Sequence, residues 1–313
     1  MQAKGFMGRL GLDIETTFGV SPTTKSCKIL PFNKLEIVGK QSLISTSTIT
    51  GNRNPVQQGL GRVTADGSAE VPVDYTAFGW WLKSMFGPAT DSGASAPYTH
   101  VFKPSNTQPS LVLEKAFTDI GQYFLYNGCK VSSLKLSFGG DGELVATLEF
   151  KGASETRGTV AYSATPTTIV MNRLNNFQAA LKEGGSTIGT VTSGDFTIDF
   201  GLDGDQYTVG NGNSRGDIPE GILKVSGTLK ALFTDAALID KGINATESSL
   251  ELAFTSGTNS LAFKFPEIQY ERTSPTITGP AGVSVDLAWS AYYQDSADAA
   301  AVVATLKNAV ATY

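Results

Sequence analysis

Charge, histidine and cysteine are the scarce ingredients of this chain. Of its 313 residues only 17% are Asp, Glu, Lys or Arg, one is histidine and two are cysteine. Soluble domains ordinarily carry about 25% charged residues, so part of the surface is expected to be covered by something other than water. A single histidine leaves a hydrolytic triad one candidate base, His100, and no Gly-x-Ser-x-Gly elbow accompanies it. Cys27 and Cys129 match no metal-ligand spacing and read as reduced thiols. Basic runs are missing too. With a net charge of -5 and a pI near 5.0, the chain is not built to hold nucleic-acid phosphates. No apolar stretch approaches the ~20 residues that span a bilayer, and no signal-peptide core follows the start, so a soluble protein made in the cytosol is expected.

Glycine, by contrast, is plentiful, at 34 of 313 residues against a usual ~7%. Many turns follow, and a helical bundle or coiled coil is excluded. With 41% apolar residues the chain can build real cores, and at roughly 150 residues per domain its length suggests two.

Those two read as copies. Val63, Ala65, Gly67, Ala69, Val71 and Val73 alternate with polar residues, as a half-buried strand does. At an offset of 160, Leu223, Val225, Gly227, Leu229, Ala231 and Phe233 repeat the pattern, glycine included. Each strand leads into an N-cap residue, Asp74 or Thr234, and a short helix predicted over 75–86 and 235–241, with Gly87 and Gly242 at the ends. A second register at offset 139 then pairs Leu111, Leu113, Phe124, Leu144, Ala146, Leu148 and Phe150 with Leu250, Leu252, Phe263, Val283, Val285, Leu287 and Trp289. The change of offset places a 21-residue insertion in the first copy, in the Gly/Ala/Ser/Pro-rich loop 88–108. The expected organisation is an extended arm (1–34), a first β-domain (35–152), a linker (153–175), a second β-domain (176–294) and a tail (295–313) that suits either helix or strand. Hairpin turns are expected at 139–142 and 279–282.

Several motifs imitate chemistry. Asp13-Ile14-Glu15 resembles the metal-binding start of proofreading exonucleases, but no later Asp stands at the required distance from a His or Tyr, and a solvated arm explains the pair. His100 reads as a structural or surface histidine, and Cys27 has no sequence neighbour to activate it. The glycine-rich run 210–216 has the wrong spacing for a phosphate loop, and Asp203 with Asp205 fails the calcium-loop pattern at Ser214. Arg215-Gly216-Asp217 and the Asn244 sequon would matter only outside the cell. No cofactor or metal is expected. At helical spacing Phe78, Trp81, Leu82 and Met85 form one buried face, leaving Trp80 as a candidate contact with a neighbouring chain.

The run from Thr50 through Arg53, Asn54, Pro55 and Val56 to Gly59, the strand into Val73-Asp74-Tyr75 and the Trp-rich helix resemble the tail tube proteins of long non-contractile-tailed bacteriophages. His100-Val101-Phe102, Ser110-Leu111-Val112-Leu113, Tyr126 to Val131 and Glu15 to Gly19 extend the likeness over most of the chain. The resemblance implies a mainly β fold of two tandem β-sandwich or barrel domains, each with one short flanking helix. It also implies a non-enzymatic virion protein, assembled in the host cytoplasm and polymerised as stacked rings around a DNA conduit. Expected partners are further copies of itself, a tape measure protein in the lumen, and tail terminator and baseplate or distal tail proteins, with DNA passing unbound and no membrane. Family rings are commonly sixfold, so two copies per chain predict a pseudo-hexameric trimer. By position, Arg53, Asn54, Pro55 and Val56 in the first copy and Arg215 and Asp217 in the second fall in loops expected to touch neighbouring rings or subunits. Two other classes stay open on the residues: a virion surface or adhesion module, and a metal-dependent nuclease resting on Asp13 and Glu15.

Overall fold

A computed structural model describes residues 2–277 and 279–313; Met1, at the head of the expected arm, and Thr278, beside the second expected turn, lie outside the described residues. The fold is mainly β, at 47% strand and 7% helix. In chain order the first half runs β1 (Gly8–Ile14), β2 (Lys28–Leu30), β3 (Lys34–Leu35), β4 (Val38–Ile44), β5 (Gly59–Pro72), α1 (Phe78–Phe86), β6 (Thr90–Ser92), β7 (Tyr98–Phe102), β8 (Leu111–Phe117), β9 (Gln122–Gly139), β10 (Val145–Lys151), β11 (Ser154–Gly158) and β12 (Thr167–Thr168). The second half continues with β13 (Ala179–Glu183), β14 (Ser186–Thr187), β15 (Val191–Asp199), β16 (Lys224–Leu232), α2 (Ala237–Ile243), β17 (Ser248–Ser256), β18 (Asn259–Tyr270), β19 (Ser284–Tyr292) and β20 (Val303–Asn308).

The two offsets reappear as hydrogen-bond register. On β5 and β10, Val71, Ala69 and Gly67 lie opposite Ala146, Leu148 and Phe150. On β16 and β19, Ala231, Leu229 and Gly227 lie opposite Val285, Leu287 and Trp289, the same pairs displaced by 160 and 139. The recurrent glycine now has a cause. A Cβ on Gly67 would lie 2.2 Å from the Glu36 carbonyl oxygen, and one on Gly227 would lie 2.4 Å from that of Asp195 and 2.6 Å from the Trp289 ring. Each glycine lets a neighbouring segment cross the strand. Gly67→Ala and Gly227→Ala are each expected to cost about 2 kcal/mol by overpacking, read from urea unfolding of the unassembled protein.

One register shifts. Leu252 lies opposite Phe263, whereas its counterpart Leu113 lies opposite Tyr126. The partner of Phe263 in the first half is therefore Tyr126 and not Phe124, because the β8–β9 loop has four residues and the β17–β18 loop two. Burial agrees, since Tyr126 and Phe263 are fully buried and Phe124 is not.

Three segments, the arm, the insertion and the linker, are more structured than expected, and the tail forms a strand. In the region expected as an arm, β1 is a central strand between β2 and β8, with Leu10 and Leu12 buried. The 88–108 insertion is a β-hairpin, β6 with β7. β11, in the region expected as a linker, lies along β9, and β20, in the tail, lies along β18 in the corresponding place. β20 also takes β7 on its other edge, with Leu306 opposite His100. The alanines of the tail favoured helix only locally, and strand pairing on both edges overrides that preference.

Both helices begin later than expected; α1 ends at Phe86 before Gly87 as expected, whereas α2 does not end at Gly242. α1 starts at Phe78, and Asp74, buried just upstream, accepts the N–H groups of Thr76, Ala77 and Phe78 on one oxygen. Its counterpart is Asp235 rather than Thr234, accepting the Ala237 N–H at 2.9 Å. α2 runs through Gly242 to Ile243; that glycine serves close approach, since a Cβ there would lie 2.7 Å from the Glu271 carbonyl oxygen.

Candidate subunit-contact surfaces

The carboxylates that imitate a nuclease are engaged structurally. Asp13 accepts the Ser26 N–H at 2.7 Å and the Tyr162 hydroxyl at 3.0 Å. Glu15 accepts the N–H groups of Gly19 at 2.8 Å and Gly128 at 2.9 Å. Both are buried, so they staple the 14–27 loop to the sheet rather than reach solvent. Among the described residues no group of three or more His, Cys, Asp and Glu is placed to hold a metal. His100 is fully buried, with Nδ1 2.6 Å from an Asp91 carboxylate oxygen and Nε2 2.9 Å from the Val310 carbonyl. It ties the inserted hairpin to the tail. Burial, the largest cause, together with the nearby Glu114 and Asp13 charges, pushes the Cys27 thiol up to about 11, opposite to what a nucleophile needs.

The residues singled out for contact fall into three settings. Arg53, Asn54 and Pro55 are exposed and Val56 half-buried, at the tip of the long β4–β5 hairpin, whose stem also exposes Leu43, Ile44 and Leu60. Trp80 is half-covered by its own chain, edge-on to Tyr313 at 5.5 Å with the Lys28 ammonium 5.0 Å from its ring centre. Arg215 is buried, while Asp217 is exposed beside it. The Arg215 guanidinium grips the Asp66 carboxylate with two nitrogens and donates to the carbonyls of Gly152 at 2.7 Å and Gly204 at 2.5 Å. The second-half loop thereby folds onto β5 of the first half. Val63 N–H donates to Asn213 O, and the Tyr207 hydroxyl to Val63 O.

The surface that residue patterns did not single out is where the halves meet. β9 and β15 pair over seven residues, from Ser133 opposite Asp199 to Gly139 opposite Ser193. A sheet ordered β3–β5–β10–β9–β15–β16–β19–β18 thus runs unbroken through both halves. Its inner face buries Leu134, Leu136, Phe138, Phe196 and Ile198. The other face is polar at its centre, with Glu70, Thr147, Lys135, Thr197, Ser226 and Ser290 in one cross-strand row and Glu149, Ser133, Asp199 and Lys224 in the next, while Pro72, Val145, Ala288 and Leu232 lie on it away from these rows. The alternation of Leu134, Leu136 and Phe138 with serines and a lysine was visible in the residues, but nothing local says which strand they meet. Lys224 faces Asp199, and Lys230 faces Asp286, so the lysines of β16 are matched by acids across the strand.

Among the described residues no helix is long and apolar enough to cross a membrane. A comparison with curated proteins finds no match to this chain. A family model described as phage tail tube protein matches residues 5–291, nearly the whole length, and with the duplicated β architecture this establishes that the chain belongs to the phage tail tube protein family.

Proposed function

We propose that three of these chains close into a ring of six pseudo-equivalent halves and that the rings stack into the hollow tail tube of a virion, the conduit for genome ejection. The observation that carries this reading is the β9–β15 junction. It joins two copies of one four-strand unit edge to edge, head to tail, in the order β3–β5–β10–β9 then β15–β16–β19–β18. Such a heterologous contact, repeated at a fixed rotation, closes a ring. The chain would then supply half of the junctions covalently and leave the others to form between subunits.

In this reading the polar face lines the lumen. Matched Lys and Asp pairs and small hydroxyl side chains offer no lysine row to grip phosphates, so a polyanion slides rather than sticks. Glu70, on that face, is expected to tolerate Glu70→Lys with tube formation and diameter unchanged by electron microscopy. The β4–β5 hairpin tip with Arg53, Asn54, Pro55 and Val56, together with exposed Asp217, faces the adjoining ring or subunit. Trp80 meets a neighbour only through the part that Tyr313 leaves uncovered. A tape measure protein fills the lumen before ejection, and terminator and distal tail proteins cap the two ends. The family is structural, and no catalysis is assigned.

Electron microscopy of concentrated pure protein, with mass photometry of isolated rings, tests the reading. Hollow tubes or rings of three chains are expected. Rings of six chains, or protein that stays discrete at every concentration, would overturn it.

A further inference from the structure

Resting on the ring reading, we infer that each ring closes where Ile277 of one chain seats in a hollow beside Leu10, Leu30 and Phe32 of the next, with Thr276 opposite Glu36. The template lies inside the chain. At the β9–β15 junction Phe138 crosses Gly194, whose added Cβ would lie 2.6 Å from the ring. The ring is 8% exposed and lines a hollow of about 420 Å³ together with Ala179, Leu181, Ile188, Val191 and Leu252.

Both halves of that contact recur at the chain's free edges. Val131 opposite Phe150 becomes Tyr270 opposite Trp289, an offset of 139, which carries Phe138 to Ile277. Ser193 opposite Lys230 and Gly194 opposite Leu229 become Lys34 opposite Glu70 and Leu35 opposite Ala69. That offset of 159 carries Gly194 to Leu35 and Asp195 to Glu36. Ile277 is 85% exposed among the described residues. The matching hollow, about 470 Å³ and lined also by Phe6, Ile29 and Pro31, is open.

The inferred contact is short. Pro275 stands where Leu136 does and has no N–H for a ladder. On the facing edge the Ile37 carbonyl already accepts from Lys115 and Tyr126, and the Gly39 N–H donates to Glu155. Pairing is therefore confined to Thr276 and Ile277 against Leu35 and Glu36. The β7–β20 pairing, which ties the halves a second time within the chain, has no counterpart between chains because the second half lacks the insertion.

Directly opposite residues of an antiparallel pair have Cα atoms about 4.5–5.5 Å apart, within disulfide reach. The double variant Glu36→Cys with Thr276→Cys, oxidised after assembly, is expected to give covalent chains up to a closed trimer on a non-reducing gel, and each single variant none. Ile277→Asp should abolish rings while leaving the melting temperature of the monomer unchanged. Rings of the double variant without cross-links, or rings undiminished in Ile277→Asp, would overturn the contact and leave the ring reading standing. A wild-type protein that forms neither rings nor tubes would overturn both.

Discussion

Replacing Arg215 by alanine is expected to destabilise the chain by about 3 kcal/mol, the lower end of the cost of breaking a buried ion pair. Four interactions are lost together. The bidentate grip on Asp66 goes, and the carbonyls of Gly152 and Gly204 lose a charged donor. Asp66 keeps partial access to water, with a side chain 40% exposed, which holds the cost below that of a fully buried orphan charge. The stabilised object is the 203–217 loop, so local order should fall further than global stability. Limited proteolysis within 208–213 is expected to accelerate, and exchange at the Val63 amide, which donates to Asn213, should rise. Arg215→Lys should recover less than half of the loss, because an ammonium reproduces the charge but not the planar fork. A variant as stable as wild type, with an unchanged cleavage rate, would show that the loop is held by the rest of its contacts.

The pair also shows where sequence reading stops. Arg215 stood in a tripeptide that advertises adhesion, and its partner lies 149 residues away, a distance over which no local pattern connects two side chains. The strands that alternate on one buried face were legible: β5, β16, β10 and β19 appear at the offsets their apolar positions imply. β1 was not, because both of its faces are covered and Gly11 and Asp13 are buried beside Leu10 and Leu12, which erases the period of two. The β6 strand of the insertion was hidden for the opposite reason, since Thr90, Asp91 and Ser92 are all exposed. Phe124 was aligned with Phe263 by residue type, and only the hairpin-loop lengths reveal that Tyr126 takes that place. Residues 53–55, singled out through the family resemblance, lie exposed at the tip of the β4–β5 hairpin. The β9–β15 junction was not legible, since strand partnership is a property of the folded topology.

Asp74 carries the second large effect, and it appears only as pH changes. One carboxylate oxygen caps the approach to α1, while the other is buried without a hydrogen-bond partner. Burial outweighs the three amide donors and raises its pKa from 3.8 to about 6. The folded protein therefore binds a proton more tightly than the unfolded chain. The resulting stability is fully present only below the unfolded value of 3.8 and is lost as pH rises through about 6. Asp74→Asn keeps the accepting oxygen and cannot ionise. Relative to wild type it should gain about 2 kcal/mol between pH 4 and pH 7, at roughly 1.4 kcal/mol per pKa unit. That difference is insensitive to any fixed cost of burying the new amide, which is the same at both pH values. Urea unfolding of wild type and variant below the assembly concentration, at pH 4, 5, 6 and 7, measures it. Parallel stability curves would mean that Asp74 titrates normally, so its buried oxygen must find a donor in solution.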